Sequence, residues 1–519
     1  RFRRPDFTAS SHPIPTSFQM NSLCSKYCDL TDVISGLTTR KFLLSIILIQ
    51  FLLHLPIFHL PPMGQHVWRQ VMGLSVARNY YEEDKSFMRS SQDIRVGLQD
   101  GGEVYTEFPL IYWLLGKSYH LTGFSHLNGR LMSFLFAALL LLGCYKLMRE
   151  LNYDEYSSRW FVFFISCTPF FFYYSVSFLP NLPSLALFIW GAALIQSQLK
   201  NEKWGFEYFI GILLLTLSTN TKQLYFFYGF SVAYLFLRQY FYSRKPSVLI
   251  WGVASGAFLL GVSYFLYRYG FEMNEVATFE RSSTVQLHDE PFPTEWREFF
   301  RILELAFTTW FLEMYVNTAA IPVFFMGCYF GIKNKTWQSS YSGFWIFWGI
   351  GFILLSYFFF SKFDQHDYYL TSTAVLAALG STYGAIKMQE YKFGKKLLIL
   401  LLILMPFVMI GRVYHRWVYT KQVPDELLYS NEAFQAVIPK GKQIIVHGDW
   451  TPVVYLYFLN RKGISVDLHS ISSAKFDQYR VAGFEYIVSQ QKPEKISILK
   501  NIDYETVSSI GDFHVIKLL

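Results

Sequence analysis

Long apolar runs alternate with polar connections along most of the chain. Eleven runs are long enough to cross a bilayer. They lie at 42–60, 129–148, 159–177, 183–199, 207–219, 223–238, 247–267, 317–332, 342–360, 368–386 and 397–412. The pattern predicts a membrane all-α fold, with about eleven transmembrane helices in a polytopic domain over residues 42–412.

The basic residues in the connections predict the orientation of these helices. Cytoplasmic loops of membrane proteins carry an excess of Lys and Arg. If residues 1–41 are cytoplasmic, the basic loops fall on the cytoplasmic side at each turn, and only Arg412, Arg416 and Lys421 after the last run do not follow the rule. We therefore predict a cytoplasmic N-terminus and an extracytoplasmic C-terminus.

A twelfth apolar stretch, "FPLIYWLLGKSYH" at 108–120, is better explained without crossing the membrane. It has about a dozen apolar residues, which is short for a span. Counting it as a span would also reverse every later loop. We predict an interfacial helix in the first of two long outer loops, 61–128 and 268–316.

The two ends of the chain differ from the membrane domain. Residues 413–519 have strand-like runs at 442–449, 463–467, 484–490 and 513–519, with helical patterns at 451–460 and 492–502. This predicts a small soluble α/β domain outside the membrane. Residues 1–19 precede Met20, a candidate native start, and are left out of the fold prediction.

Composition supports a membrane protein and excludes some other classes. The chain is 52% hydrophobic and 16% charged, with a mean hydropathy of +0.23. The net charge of +8 arises from short loops between apolar runs, so we exclude nucleic acid as a partner. Cys24 and Cys28 lack a second ligand pair nearby, which argues against a zinc site.

Unusual polar residues fall on one predicted face, the outer one. They lie in "GQHVWRQ" (64–70), "SQDIRVG" (91–97), "TEFPL" (106–110), "TNTKQ" (219–223) and "SKFDQHDYYL" (361–370). Each cluster has an ordinary explanation, such as interfacial anchoring, snorkelling or helix capping. Asp364, His366 and Asp367 also offer ligands for a divalent metal ion. Together these clusters predict one outward-opening site.

The segments "HVWRQ", "ARNYY", "TEFPLIYWLLGKSYHLTG" and "GRLMSFLFAALLLL" resemble the polytopic GT-C glycosyltransferases. The resemblance is to the bacterial relatives of protein O-mannosyltransferases and the lipid A aminoarabinose transferase, and it covers residues 40–410. It implies a membrane glycosyltransferase that takes a sugar from a polyprenyl-phosphate donor. The acceptor is left open as a lipid, a glycan or a protein.

The resemblance also implies roles for individual residues. Glu107 corresponds to an acidic residue that precedes the proline of the interfacial helix. Lys222 corresponds to a basic residue near a span end that contacts the donor phosphate. The segment "QHDYYL" would place His366, Tyr368 and Tyr369 near the donor. His66 stands where many relatives carry an acid after the first span, and Asn181 replaces a second acid.

Transfer from a lipid phosphate needs a base for the acceptor hydroxyl and positive charge for the leaving phosphate. We hypothesise that Glu107 or Asp93 is the base, assisted or replaced by His66. The predicted substrate-binding residues are Trp68, Arg69, Gln70, Lys222, His366, Tyr368 and Tyr369. No cofactor is required by this scheme, and a divalent metal ion stays an open option.

Two other classes of function remain open at this stage. Transporters and lipid flippases also carry polar residues among many spans, but usually near the bilayer midplane and with internal repeats. A non-catalytic envelope assembly protein would use the C-terminal domain for contacts. Because the resemblance is to a bacterial branch, we expect a bacterial inner-membrane protein with its site facing outwards.

Overall fold

The computed structural model describes residues 37–97, 100–275, 292–293, 295–339, 341–416 and 420–519. The first half of the membrane domain contains helices α1 (Thr39–Phe58), α2 (Val67–Glu82), α3 (Leu110–Thr122), α4 (His126–Glu150), α5 (Glu155–Ser166), α6 (Pro169–Tyr174), α7 (Asn181–Asn201) and α8 (Phe206–Thr221). The second half contains a 3-10 helix (Gln223–Tyr228), α9 (Gly229–Ser243), α10 (Pro246–Glu275), α11 (Trp296–Glu304), a π-helix (Leu305–Asn317), α12 (Ile321–Lys333), α13 (Ser342–Phe359), α14 (Thr373–Gln389) and α15 (Lys392–Tyr414).

Seven helical stretches in the described part of the chain are long and apolar enough to cross a membrane. They are Thr39–Phe58, His126–Glu150, Asn181–Asn201, Pro246–Asn274, Trp296–Lys333, Ser342–Asp364 and Lys392–Tyr414. The other four predicted runs also fall on helical segments, but these are shorter or interrupted. The predicted total of eleven crossings therefore stays a prediction.

Much of the predicted outer loop 268–316 is helical, and its position outside the membrane stays a prediction. Helix α10 continues to Glu275, and helical structure resumes at Trp296. Residues 276–291 and 294 of that loop lie outside the described part of the chain. The sequence prediction ended the run where charged residues began, but backbone hydrogen bonding continues a helix beyond its apolar section.

Helices α2 and α3 form the helical part of the first outer loop. Helix α3 has 13 residues and packs closely on α2, since a Cβ atom at Gly116 would lie 2.7 Å from the carbonyl oxygen of Ala77. Nearly every residue of α2 is buried. Helix α3 is not among the stretches of the described chain that are long and apolar enough to cross a membrane, and its interfacial position stays a prediction.

Glycine permits the closest helix contact in the membrane domain. Helices α12 and α14 meet at Gly327, Gly380 and Gly384, where an added Cβ atom would collide with the backbone or side chain of the facing helix. Gly380 and Gly384 are four residues apart, the spacing that lets membrane helices approach backbone to backbone.

The C-terminal domain is built on a five-stranded mixed sheet. Its strands are β1 (Gln443–His447), β2 (Gly463–Ser465), β3 (Phe484–Ser489), β4 (Tyr504–Ile510) and β5 (Phe513–Leu518), in the order β2-β1-β3-β5-β4. Its helices are α16 (Asp425–Tyr429), α17 (Asn431–Val437), α18 (Val454–Leu459), α19 (Ser473–Val481) and two short 3-10 helices (Pro493–Lys495 and Ser497–Asn501).

The strands β1, β2 and β3 pair in parallel, whereas β5 is antiparallel to β3 and β4. One face of the sheet packs with helices α2 and α3 in a single apolar cluster. The domain is thereby attached to the loop 61–128, where half of the predicted site residues lie.

Candidate functional site

Glu107 is at the centre of a buried charge cluster. Its Oε1 atom lies 2.5 Å from Nη2 of Arg69 and 2.8 Å from Nζ of Lys222. The hydroxyl of Tyr112, in the first turn of α3, donates to Oε2 at 2.5 Å. Glu107 is only 8% exposed. Its partners come from α2, from α3 and from the connection after α8, so folding is needed to assemble them.

This cluster keeps Glu107 ionised. Burial alone would raise the pKa of its carboxyl group, but the charges of Arg69 and Lys222 outweigh burial and lower the pKa to about 2. Burial lowers the pKa of the Lys222 ammonium from its ordinary value. Two cations against one carboxylate leave a net positive charge, which favours the binding of an anion.

Asp367 is at the centre of a second buried cluster. Its Oδ1 atom lies 2.6 Å from Nε2 of His66 and accepts a hydrogen bond of 2.6 Å from the hydroxyl of Tyr174. Its Oδ2 atom lies 2.7 Å from Nη2 of Arg416. Although burial opposes ionisation, the charge of Arg416 and the hydrogen bonds from His66 and Tyr174 hold the pKa of Asp367 well below its ordinary value.

The backbone on both sides of this pair is fixed. His66 precedes α2 with a φ of 58°, a left-handed conformation that is uncommon for a residue with a side chain. Tyr315 donates to the carbonyl oxygen of Asp367 at 2.8 Å, and the amide of Asn181 donates to that of Tyr368 at 3.0 Å. Such constraints hold the imidazole and the carboxylate in one mutual geometry.

Aromatic rings connect the two clusters. The Lys222 Nζ atom lies 5.8 Å from the ring centroids of both Tyr368 and Tyr369, and the His66 ring lies 4.9 Å from that of Tyr368. His366 stacks on Tyr368 at 5.2 Å, and burial lowers the pKa of its imidazole to about 3. His366 is therefore neutral at physiological pH.

The structure thus brings together most of the predicted site residues. His66, Arg69, Glu107, Lys222, His366, Tyr368 and Tyr369 surround the two clusters. Trp68 is at their edge, with its ring 5.8 Å from that of His366. These residues come from loops that are far apart in sequence.

Asp93 and Gln70 are placed differently. Asp93 pairs with Arg78 and Lys462, each at 2.6 Å, and joins the first outer loop to the C-terminal domain. Gln70 is buried, and its amide donates to the carbonyl oxygen of Gln65 at 3.4 Å. The backbone N–H of Gln70 donates to the carbonyl oxygen of His66 at 3.1 Å. Among the described residues, no side-chain hydrogen bond or ion pair joins Asp93 or Gln70 to Glu107 or Asp367.

The predicted metal ligands do not assemble as a group. Asp364 pairs with Arg301 at 2.8 Å, whereas Asp367 is held by His66 and Arg416. Among the described residues, the three-ligand group that could hold a metal ion is in the C-terminal domain, at His447, Asp467 and His469. Proximity in sequence suggested the first set, but the side chains diverge.

Arg416 and Tyr174 belong to the site and were missed from the sequence. Arg416 follows the last predicted span on the outer side, where the distribution of positive charge disfavours it. Its departure from the positive-inside distribution could have indicated a polar role, because a charge at the outer end of a span needs a partner. Tyr174 is in the aromatic segment "PFFFYY" of α6, where nothing distinguishes it from the packing residues around it.

Residues 106–267 match the protein family described as dolichyl-phosphate-mannose-protein mannosyltransferase. No curated protein sequence matches the chain. The fold is similar to that of ArnT from Cupriavidus metallidurans in the apo state, with a TM-score of 0.59 and 10% identity over 91% of this chain and 98% of that one. The same protein bound to undecaprenyl phosphate gives 0.57 and 10%, over 92% and 97%.

An oligosaccharyltransferase from Archaeoglobus fulgidus in complex with Zn and sulfate is also similar, with a TM-score of 0.50 and 13% identity over 86% of this chain and 67% of that one. The resemblance to GT-C superfamily glycosyltransferases is therefore confirmed by both the family match and the fold. The seven candidate spans among the described residues support an integral membrane protein.

Proposed function

We propose that this GT-C superfamily protein transfers a sugar from a polyprenyl-phosphate donor to an acceptor hydroxyl at the extracytoplasmic face of the membrane. The observation that carries the proposal is the juxtaposition of two buried clusters with complementary chemistry. The Glu107 cluster has excess positive charge, which suits a leaving phosphate. The Asp367 cluster contains an oriented imidazole, which suits a general base.

His66 is the base in this proposal, and Glu107 has another role. A pKa of about 2 makes Glu107 a weak base at neutral pH, and its oxygens are already held by two cations and a phenol. Glu107 instead positions Arg69 and Lys222. Asp93 has the same limitation, with a pKa of about 2.

Asp367 and His66 have the relationship of an acid that orients a base. The carboxylate accepts from Nε2–H of His66, which leaves Nδ1 as the basic nitrogen. Nδ1 has no hydrogen-bond partner among the described residues. It is thus free to take a proton from an acceptor.

The proposed transfer proceeds as follows. Nδ1 of His66 takes the proton of the acceptor hydroxyl, and the acceptor oxygen forms a bond to the anomeric carbon of the sugar. The bond from that carbon to the phosphate oxygen breaks, and the electron pair leaves with the polyprenyl phosphate. Arg69 and Lys222 balance the charge that develops on this phosphate.

The aromatic residues between the clusters suit the sugar itself. Tyr368 and Tyr369 lie beside Lys222, where the donor sugar would follow its phosphate. The undecaprenyl phosphate seen with ArnT supports a polyprenyl lipid as the carrier. No step is assigned to a metal ion, because the carboxylates predicted as ligands are committed to arginine and histidine partners.

The experiment that tests this function measures polyprenyl-phosphate release by the purified protein from a mixed pool of polyprenyl-phosphate sugars with candidate acceptors. We expect release by the wild type and a loss of at least a hundredfold in Glu107→Gln. Asp93→Asn is the matched control, since it also removes a buried carboxylate held between an arginine and a lysine. It is expected to retain turnover at temperatures where it is folded.

Equal losses in both variants would mean that general destabilisation, and not the Glu107 site, limits activity. Wild-type turnover that survives Glu107→Gln would remove Glu107 from the site. Failure of the wild type to bind or use any donor, combined with movement of a lipid-linked sugar across proteoliposomes, would support a flippase instead.

A further inference from the structure

A cavity beside the proposed catalytic site has a different chemistry. It lies between α2 and the C-terminal domain and has a volume of about 450 Å³, within the range of small-molecule sites. Its lining residues are Trp68, Met72, Asp449, Trp450, Thr451, Pro452, Ser465, Val466 and Asp467. The lining therefore combines two indole rings with two carboxylates and two hydroxyls.

The charge of this cavity argues against phosphate. None of its nine lining residues is a lysine, an arginine or a histidine, and two are aspartates. The donor phosphate would be repelled here, whereas it is favoured at Arg69 and Lys222. The cavity and the Glu107 cluster would thus accept different parts of the reactants.

Trp450 lies in a hydrogen-bonded turn. Asp449 accepts hydrogen bonds of 2.8 Å from the backbone amides of both Thr451 and Tyr455. The Trp450 side chain is 60% exposed. A large apolar ring exposed to solvent at the edge of a cavity is typical of a binding surface.

The cavity borders the proposed catalytic site through Trp68. Trp68 forms part of the cavity wall, follows His66 by two residues, and has its ring 5.8 Å from that of His366. A ligand seated against Trp68 would therefore lie at the edge of the proposed site.

We propose that this cavity binds the acceptor of the transfer reaction and that the bound part of the acceptor is a neutral sugar. The indole faces of Trp68 and Trp450 would stack on the apolar C–H face of a sugar ring. Asp467 and the hydroxyl of Ser465, both in the lining, would hydrogen-bond to its hydroxyl groups. This inference rests on the proposed transferase function and adds the chemical class of its acceptor.

The test measures binding of the full-length protein in detergent to an array of neutral, amino-bearing and anionic oligosaccharides. We expect neutral members to bind, and binding to weaken at least fivefold in Trp450→Ala and in Asp467→Asn. Tyr429→Ala and Asp477→Asn are matched controls, because Tyr429 and Asp477 are exposed residues of the same domain outside the cavity lining. The controls should bind like the wild type.

Three outcomes would overturn the proposal: unchanged binding by Trp450→Ala, preference for anionic sugars, or no oligosaccharide binding while a Ser/Thr-containing peptide binds. Binding of the donor lipid, measured on the same preparations, reports the Glu107 site separately. If the wild type uses the donor but Trp450→Ala binds oligosaccharides as tightly as the wild type, the acceptor site alone would be contradicted. A protein that binds no donor would contradict the proposed function.

Discussion

Two buried carboxylates in the outer part of the protein are each held between an arginine and a lysine. Glu107 pairs with Arg69 and Lys222, and Asp93 pairs with Arg78 and Lys462. Both have a pKa of about 2 despite their burial. Their chemistry is equivalent, so their different roles must follow from location.

The low pKa values predict how stability depends on pH. The pKa of Glu107 falls from 4.5 to about 2 on folding, so its contribution to stability, about 3 kcal/mol, is complete above pH 4.5 and is lost as the pH falls towards 2. We expect the thermal midpoint of the wild type in detergent to fall over this window. Because the pKa of Asp93 is also about 2, Asp93→Asn should have a lower thermal midpoint than the wild type at neutral pH. Its midpoint should also depend less on pH. An identical pH profile for the variant would contradict the contribution of Asp93.

The imidazole of His66 predicts a kinetic effect. Replacing it with His66→Asn removes the proposed base, so kcat should fall by about 10²- to 10⁴-fold. The KM for the donor should change little, because the proposed phosphate contacts are made by Arg69 and Lys222. Initial rates at varied donor concentration measure both parameters.

The control for this variant is His126→Asn. His126 is half-buried and hydrogen-bonds to the hydroxyl of Tyr457 at 3.0 Å, outside both clusters. It should keep most of the activity. A loss of donor affinity in His66→Asn, with kcat unchanged, would show that His66 binds substrate and is not the base.

The sequence pointed to most of the polar residues that the structure brings together, but it did not predict how they pair. His66, Glu107 and Lys222 were identified because polar groups at span ends are costly. From the sequence, Asp93 was as good a candidate for the base as Glu107. Its ion pairs and its contact with the C-terminal domain depend on the fold and cannot be inferred from neighbouring residues. Arg416 required the fold, because Asp367 is far from it in sequence and only packing brings them together.

At the scale of elements, the packing of α12 on α14 predicts a strong steric effect. A side chain at Gly384 would collide with the carbonyl of Val323. Gly384→Val should therefore destabilise the protein by about 1–3 kcal/mol or more, and lower its thermal midpoint in detergent. Gly349→Val in α13 is the matched control, since nothing lies within 4 Å of an added Cβ atom there. Equal midpoints would contradict the close contact of α12 with α14.

Elements were predictable where burial imposed a pattern. The four predicted strands of the C-terminal domain are all present, because each is buried and therefore apolar. Strand β4 was missed because its residues are largely exposed and polar, "YETVSSI", and it pairs only with β5. Helix α10 was cut short for a related reason, since its last turns are no longer apolar.

At the scale of the whole molecule, the site requires distant parts of the chain to lie on one side of the membrane. The first outer loop supplies His66 and Glu107, the connections after α8 and α13 supply Lys222 and Asp367, and the segment after α15 supplies Arg416. These contacts are compatible with the predicted orientation, in which all of them are extracytoplasmic.

Helix α15 provides a direct test of the orientation. It has 23 residues and is about 34 Å long, so its two ends lie on opposite sides of a bilayer if it crosses. Lys392 at its start is predicted to be cytoplasmic, and Tyr429 beyond its end to be outside. After replacement of the five native cysteines, Tyr429→Cys should react with a membrane-impermeant maleimide in intact spheroplasts. Lys392→Cys should react only after permeabilisation. The reverse pattern would place the site in the cytoplasm, and labelling of both from outside would mean that α15 does not cross.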